Sequence, residues 1–178
     1  MQKRTMWILS TISIVALIAL FFIFKPGVEQ QTDLAEARIY TMDSTIKTDK
    51  LDIIVVKADR RNSLGGNGSI QITPPAGKVY YTVNWSYANN TKAPITMSVQ
   101  PSVTMIDNFG AVVTPSVEAK DVFMHELLLE KNNQLDLKPQ MPVYNGDVFI
   151  VNKELPTNGE WYLIFKFEAK EYKMLLKQ

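Results

Sequence analysis

A long apolar run near the N-terminus constrains this chain more than any other feature. It extends from Met6 to Phe24, which is 19 consecutive positions without a charged side chain, with Lys3 and Arg4 before it and Lys25 after it. A helix of that length measures about 28 Å, which matches the hydrocarbon core of a bilayer. A helix packed in a soluble core keeps a polar face, and this run has none. The sequence therefore predicts that the run engages the membrane as a single transmembrane helix.

The residues after the run bear on whether it is cleaved. A secretory signal has an apolar region of about 7–15 residues that is followed closely by a small-x-small cleavage site. Here the run is longer, and the first such pattern, Ala35-Glu36-Ala37, lies more than ten residues beyond its end. The two basic residues before the run slightly favour a cytoplasmic N-terminus. We expect an uncleaved signal anchor at residues 1–25 of a protein in the inner (cytoplasmic) membrane, with the C-terminal domain extracytoplasmic. The alternative is cleavage and release into the periplasm.

Composition limits the partners and the chemistry of the rest of the chain. Residues 26–44 are polar and predict a stalk, and residues 45–178 suffice for one domain with a sizeable core. Three of the 19 basic residues flank the apolar run, which leaves 16 against 18 acidic residues. That balance argues against nucleic acid as a partner. The chain has no cysteine, which excludes a disulfide framework, a thiol nucleophile and lipid attachment through a cysteine.

Residues 78–90 give the clearest secondary-structure signal, because apolar and polar side chains alternate with a period of two. One face carries Val79, Tyr81, Val83, Trp85 and Tyr87, and the other carries Tyr80, Thr82, Asn84 and Ser86. A second alternating run places Trp161, Leu163, Phe165 and Phe167 on one face and Tyr162, Ile164 and Lys166 on the other. The aromatic face at residues 79–87 favours core packing over a ligand platform.

Shorter β-prone runs fill most of the remaining domain. They lie at residues 50–57, 95–99, 103–106, 111–114, 147–151 and 172–176. Asn145-Gly146 predicts an interruption before the fifth of these runs. Residues 117–134 fit either a short helix or an irregular crossover. About seven short strands with turn signals every 8–12 residues or so predict an all-β fold, an antiparallel immunoglobulin-like β-sandwich.

The order of the turn and core patterns supports a family resemblance. The patterns are the alternating strand with its Asn-rich end at 79–90, the Asp107-Asn108-Phe109-Gly110 turn, the Leu137-Lys138-Pro139 segment, the strand at 146–149 and the closing strand at 161–165. This order resembles the bacterial telokin-like, immunoglobulin-like domains of unknown function found on exported lipoproteins and membrane-anchored proteins. The resemblance covers about residues 45–177 and implies no catalytic residues. Members usually follow a lipobox cysteine or a signal sequence, so the cysteine-free chain leaves attachment to the apolar run.

The residue types argue against catalysis. His125 is the only histidine, so neither a cysteine–histidine dyad nor a paired-histidine zinc site is available, and no Gly-x-Ser-x-Gly motif accompanies it. The glycine-rich residues 62–69 lack the lysine and the following helix of a phosphate-binding loop. In the 107–110 turn, Phe109 interrupts the series of oxygen ligands that calcium requires. A pair of carboxylates follows no spacing rule and stays open as a glycosidase option. We predict a non-enzyme without a metal or cofactor.

Two classes of function remain. The first is a protein-interaction module of the bacterial cell envelope, of an immunity or assembly type, which binds a partner protein through a sheet face or edge. Its candidate contact residues are Tyr80, Tyr162 and Ile164, on the faces opposite the predicted core. The second is a binder of a small ligand or envelope polymer that uses an aromatic cleft around Trp85 and Trp161. The sequence specifies neither the partner nor the oligomeric state.

Overall fold

The computed structural model describes residues 39–66, 70–106, 110–129, 135–153 and 160–176. The predicted anchor at residues 1–25, the predicted stalk as far as residue 38 and the turn residues 107–109 lie outside these ranges. Within them, no helix has both the length and the apolar character needed to span a bilayer.

Eleven strands and one helix follow one another along the described chain. They are β1 Tyr40–Thr41, β2 Ile46–Lys47, β3 Leu51–Arg61, β4 Lys78–Asn89, β5 Ile95–Thr96, β6 Ser102–Ile106, β7 Val112–Val113, α1 Val117–Glu126, β8 Asp136–Leu137, β9 Pro142–Asn152, β10 Trp161–Phe167 and β11 Lys170–Leu176.

The strands form two main sheets and a short ribbon. The five-stranded sheet has the order β1-β11-β10-β6-β7, the four-stranded sheet has the order β2-β3-β4-β9, and β5 pairs with β8. Within the two sheets the strands pair antiparallel, except that β1 runs parallel to β11. The prediction of an all-β sandwich is therefore confirmed, with one short helix added to it.

The core lies between the two sheets, where the alternating patterns place it. The predicted inward side chains of β4 and β10 are all buried in one apolar cluster. The rings of Trp85 and Phe165 meet across the sandwich at 5.3 Å between centroids, in an edge-to-face arrangement. Period-two alternation thus identified the inner face of each sheet correctly, because successive side chains of a strand point to opposite faces.

Two segments differ from their predicted form. Residues 117–134, which fit a helix or a crossover, form helix α1 as far as Glu126. The predicted interruption at Asn145-Gly146 is wrong, because β9 continues through both residues and pairs with Trp85 and Asn84 of β4. Pairing along the whole of β4 supplies the hydrogen bonds that override the local turn preference of an Asn-Gly pair.

Strand β1 lies inside the segment 26–44 whose composition predicts a stalk. Tyr40 and Thr41 pair with Met174 and Leu175 of β11. Only two residues pair, a length too short for an alternation pattern to be visible in the sequence.

Candidate functional site

Helix α1 has well-defined ends that the sequence encodes locally. Ser116 is its N-cap, and the Ser116 hydroxyl accepts a hydrogen bond from the N–H of Ala119 at 3.3 Å. After the helix, the N–H groups of Leu128 and Leu129 donate to carbonyls of the last turn at 3.0 and 2.9 Å. This is a Schellman motif, and it places Leu128 in the left-handed region at φ 55.

The helix covers part of the outer face of the four-stranded sheet. Beneath it lies a second apolar cluster, separate from the main core, which consists of Leu64, Tyr80, Ala119, Phe123 and Val148. Gly146 makes the close approach possible, since a Cβ at that position would lie 3.0 Å from Cδ1 of Phe123. An ion pair of 2.6 Å between Arg61 and Glu126 ties the end of the helix to β3. The helix therefore forms a third layer over one half of this sheet face.

A buried carboxylate links the helix to the main core. Asp147 is only 3% exposed. Its Oδ2 accepts a hydrogen bond from Nε1 of Trp85 at 2.8 Å, and its Oδ1 accepts one from Nζ of Lys120, also at 2.8 Å. Both carboxylate oxygens thus have a donor, which a buried charge requires. We assign this cluster a structural role, because each of its polar side chains already has its partner within the fold.

A cavity of about 400 Å³ opens beside the N-terminus of the helix. Its apolar walls come from Ile72, Pro74, Pro75, Ala119 and Ile150, and its polar groups from Thr73, Tyr80, Ser116 and Glu118. This volume lies within the range of small-molecule sites, and the lining combines apolar walls with polar groups.

Tyr80 is a largely buried residue whose hydroxyl faces the cavity. The residue is 4% exposed, and its hydroxyl makes no hydrogen bond within the described part of the chain. Burial raises the pKa of the Tyr80 phenol, and the negative charge of Glu118 raises it further. The carboxylate of Glu118 therefore makes the potential at the cavity wall negative.

The other half of the same sheet face has no layer over it among the described residues. The row that crosses the sheet there pairs Ile54 with Ser86 and Ser86 with Tyr144. A β-bulge between Val55 and Lys57 places Val56 in the same region. Ile54, Val56 and Tyr144 are 41, 54 and 48% exposed. We call these three residues the open apolar surface.

The structure places the five predicted site residues in three different environments. Tyr80 is buried beneath α1, so its predicted role as an exposed contact is wrong; a layer of helix covers that part of the face. Tyr162 and Ile164 are half-buried on the outer face of the five-stranded sheet, and Nζ of Lys173 lies 3.7 Å from the centre of the Tyr162 ring.

The two tryptophans do not form a cleft. Trp85 and Trp161 are both buried in the core between the sheets, which corrects the prediction of an aromatic binding cleft around them. The indole N–H of Trp85 donates to Asp147 at 2.8 Å. Their large apolar area is used for packing the sandwich.

The described residues contain no group of three or more potential metal ligands close enough to hold an ion. His125 lies in the last turn of α1, where its side chain is exposed.

Sequence reasoning missed the open apolar surface, although a signal for it was present. Residues 53–56 read Ile-Ile-Val-Val, so β3 is apolar on both faces, which is typical of a strand with a layer on each side. Asp147 also left a signal, because it shares the inward register of Phe149 and Val151. No sequence signal identified Lys120 as the partner of Asp147, since Lys120 lies 27 positions away on another element.

Comparisons place the chain among bacterial β-sandwich proteins whose functions are not described. No family model matches it. It is 26% identical over 129 residues to the uncharacterized protein YxkC of Bacillus subtilis, a match that covers 72% of this chain and 71% of YxkC. A crystal structure of a conserved hypothetical protein from Bacillus anthracis superposes with a TM-score of 0.66 at 25% identity, over 78% of this chain and 95% of that one.

A second solved structure supports the fold alone. It is an uncharacterized β-sandwich protein from Clostridium difficile, with a TM-score of 0.51 at 16% identity, over 79% of this chain and 95% of that one. The chain is thus similar to conserved bacterial proteins with a β-sandwich fold, and their names assign no activity.

Proposed function

We propose that this protein is a membrane-anchored, extracytoplasmic β-sandwich that acts as a non-catalytic protein-interaction module of the cell envelope. In this proposal the chain stays attached through the apolar run from Met6 to Phe24. The domain binds another envelope protein through the open apolar surface.

The exposure of Ile54, Val56 and Tyr144 is the observation that carries the proposal. Three large apolar side chains that share one stretch of sheet face are expected to be covered in the working state of a protein. Charged groups border them, including Lys57 and Asp59, whose ion pair measures 2.6 Å. An apolar centre with a polar rim is the usual composition of a protein–protein interface.

The strand order supports an immunoglobulin-like form of the sandwich. Strands β3, β4 and β9 correspond in order to strands A, B and E of such a domain, and β6, β7, β10 and β11 correspond to C, C′, F and G. Helix α1 comes between C′ and E in the chain, where strand D would stand. Immunoglobulin-like sandwiches serve in many unrelated proteins, so the fold by itself names no partner.

Site-specific photo-crosslinking in cells tests the interaction. The photoreactive residue p-benzoylphenylalanine replaces Tyr144 in one strain and Tyr162, on the outer face of the other sheet, in a second strain. We expect Tyr144 to give a cross-link to one envelope protein and Tyr162 to give none. Ile54→Ser should weaken the cross-link from position 144, whereas Val112→Ser, which changes an exposed apolar residue of the five-stranded sheet, should leave it unchanged.

Two results would overturn the assignment. Cross-links from position 162 alone would move the contact to the other sheet, and the absence of any cross-link from both positions would contradict the interaction role. Intact mass of the purified full-length protein tests the anchor separately. A full-length mass supports an uncleaved anchor, and loss of the first 25 to 40 residues or so at a signal-type site would contradict it.

A further inference from the structure

We propose that the cavity beside the N-terminus of α1 binds a small organic cation with an apolar body, of the alkylammonium or arylammonium class. The proposal concerns a different place from the open apolar surface and stands independently of it.

The walls of the cavity select for an apolar body. The segment with Ile72, Pro74 and Pro75 forms one side, and the outer face of the four-stranded sheet forms the other. Prolines and branched aliphatic side chains offer no hydrogen bonds from their side chains, so they favour hydrocarbon over a polar chain. A volume of about 400 Å³ accommodates an aromatic ring or a short alkyl chain.

The charges at the cavity select for a cationic head. Among the described residues that line the cavity, Glu118 is the only charged one. Two basic side chains of α1 and β3 are already engaged, since Lys120 pairs with Asp147 and Arg61 pairs with Glu126. An ammonium group beside Glu118 gains a charge-assisted hydrogen bond.

Tyr80 supplies the second, independent observation. It is more than nine-tenths buried, it lines the cavity, and its hydroxyl has no hydrogen-bond partner among the described residues. Unlike the hydroxyl of Tyr87, the hydroxyl oxygen of Tyr80 is not enclosed by the protein, so it is accessible from the cavity. A ligand N–H in the cavity can donate to this oxygen in place of water, and the ring of Tyr80 is a favourable surface for a cation.

The helix N-terminus does not make the cavity an anion site. Helix N-termini attract anions through their free N–H groups and the positive end of the dipole. Here Ser116 already accepts a hydrogen bond from the N–H of Ala119, and Glu118 places a negative charge in the first turn. A free anion would have to approach that carboxylate, so the balance of charge favours a cation.

The test compares three probes that share one ring. Benzylamine is a cation at neutral pH, benzyl alcohol is its neutral counterpart, and benzoate is its anionic one. Binding is measured by isothermal titration calorimetry on the full-length protein in a non-ionic detergent. We expect benzylamine to bind about fivefold more tightly than benzyl alcohol, because a hydrogen bond between charged groups contributes about twice the roughly 1 kcal/mol of a neutral pair. Benzoate should not bind.

Three variants locate the binding. Glu118→Gln keeps the shape of the side chain and removes its charge, and it should weaken benzylamine binding about fivefold. Tyr80→Phe keeps the ring and the packing and should weaken it about threefold to fivefold. Glu171→Gln, on an exposed glutamate of β11, is the matched control and should leave binding unchanged.

Unfolding midpoints of the same samples show that each variant is folded. Each probe partitions into the micelles to the same extent in every variant sample, so differences between variants report binding to the protein. The proposal is wrong if benzylamine shows no saturable binding up to about 10 mM. It is also wrong if benzoate binds as tightly as benzylamine, or if Glu118→Gln binds benzylamine like the unchanged protein. The photo-crosslinking at Tyr144 is unaffected by any of these outcomes, so the two proposals fail separately.

Discussion

The buried pair of Asp147 and Lys120 makes the sharpest prediction about stability. Asp147 is 3% exposed and receives hydrogen bonds from both Lys120 and Trp85. The side chain of Lys120 is 30% exposed, so water reaches the lysine but not the carboxylate. The two partners should therefore respond unequally to removal of the other.

Lys120→Met leaves the buried carboxylate without its counter-charge, while the methionine retains most of the apolar stem. Removing one partner of a buried pair costs about 3–5 kcal/mol, and the partial exposure of Lys120 places the expected loss near the lower limit, at about 3 kcal/mol. Asp147→Asn keeps an oxygen that can accept from the Trp85 indole and leaves Lys120 free to reach water. We expect that change to cost about 1–2 kcal/mol.

The double variant decides whether the two residues act as a pair. With both charges removed, no unpaired buried charge is left, so we expect Lys120→Met with Asp147→Asn to cost only about 2 kcal/mol. That value lies about 2–3 kcal/mol below the sum of the single losses. Urea unfolding of the full-length protein in detergent, followed by tryptophan fluorescence, gives all the free energies. Additivity within about 0.5 kcal/mol would refute the reasoning, because it would mean that Asp147 and Lys120 do not interact.

Three further predictions use the same unfolding measurement. Gly146→Ala should destabilise the protein by about 1 kcal/mol, because the new Cβ lies 3.0 Å from the Phe123 ring and 3.2 Å from Sδ of Met124. In a Phe123→Val background, which lacks the ring, the loss should be smaller. An equal loss in both backgrounds would contradict a clash with the ring. Leu128→Gly should stabilise by about 1 kcal/mol, since Leu128 is 89% exposed at φ 55 and glycine relieves the left-handed backbone without loss of packing; no gain would count against strain there. Tyr87→Phe should stabilise by about 1 kcal/mol at neutral pH, because the Tyr87 hydroxyl is buried without a hydrogen-bond partner among the described residues. Burial raises the Tyr87 pKa from 10.0 to about 12, so the unfolded chain loses the phenol proton at a lower pH than the folded protein does. The unchanged protein should therefore lose stability between about pH 10 and 12. A Tyr87→Phe variant with the same loss over that interval would contradict this assignment.

The sequence alone determined the class of fold and the inner faces of the main sheets. Alternation at residues 79–87 and 161–167 was sufficient to assign each side chain to its face. This works because the direction of a side chain in a strand depends only on whether its position is odd or even, which is a local property. The apolar run at residues 6–24 is a local signal as well, and it stays a prediction, since it lies outside the described residues.

Only the tertiary structure decided which parts of the outer faces are covered. Tyr80 and Tyr144 both point outward from the four-stranded sheet, yet one lies beneath α1 and the other is exposed. The difference arises from where the helix packs, which depends on Gly146 admitting the Phe123 ring.

The cavity beside Tyr80 has the same origin. It forms because the segment at 72–75 and the first turn of α1 come together over β4 and β9, although more than 40 positions separate the two segments in the chain. Whether a strand position is odd or even assigns its side chain to one face of the sheet. Which elements pack over that face depends on contacts between segments that are distant in the chain. The sequence therefore predicted the sandwich, and the structure alone located the open apolar surface and the cavity.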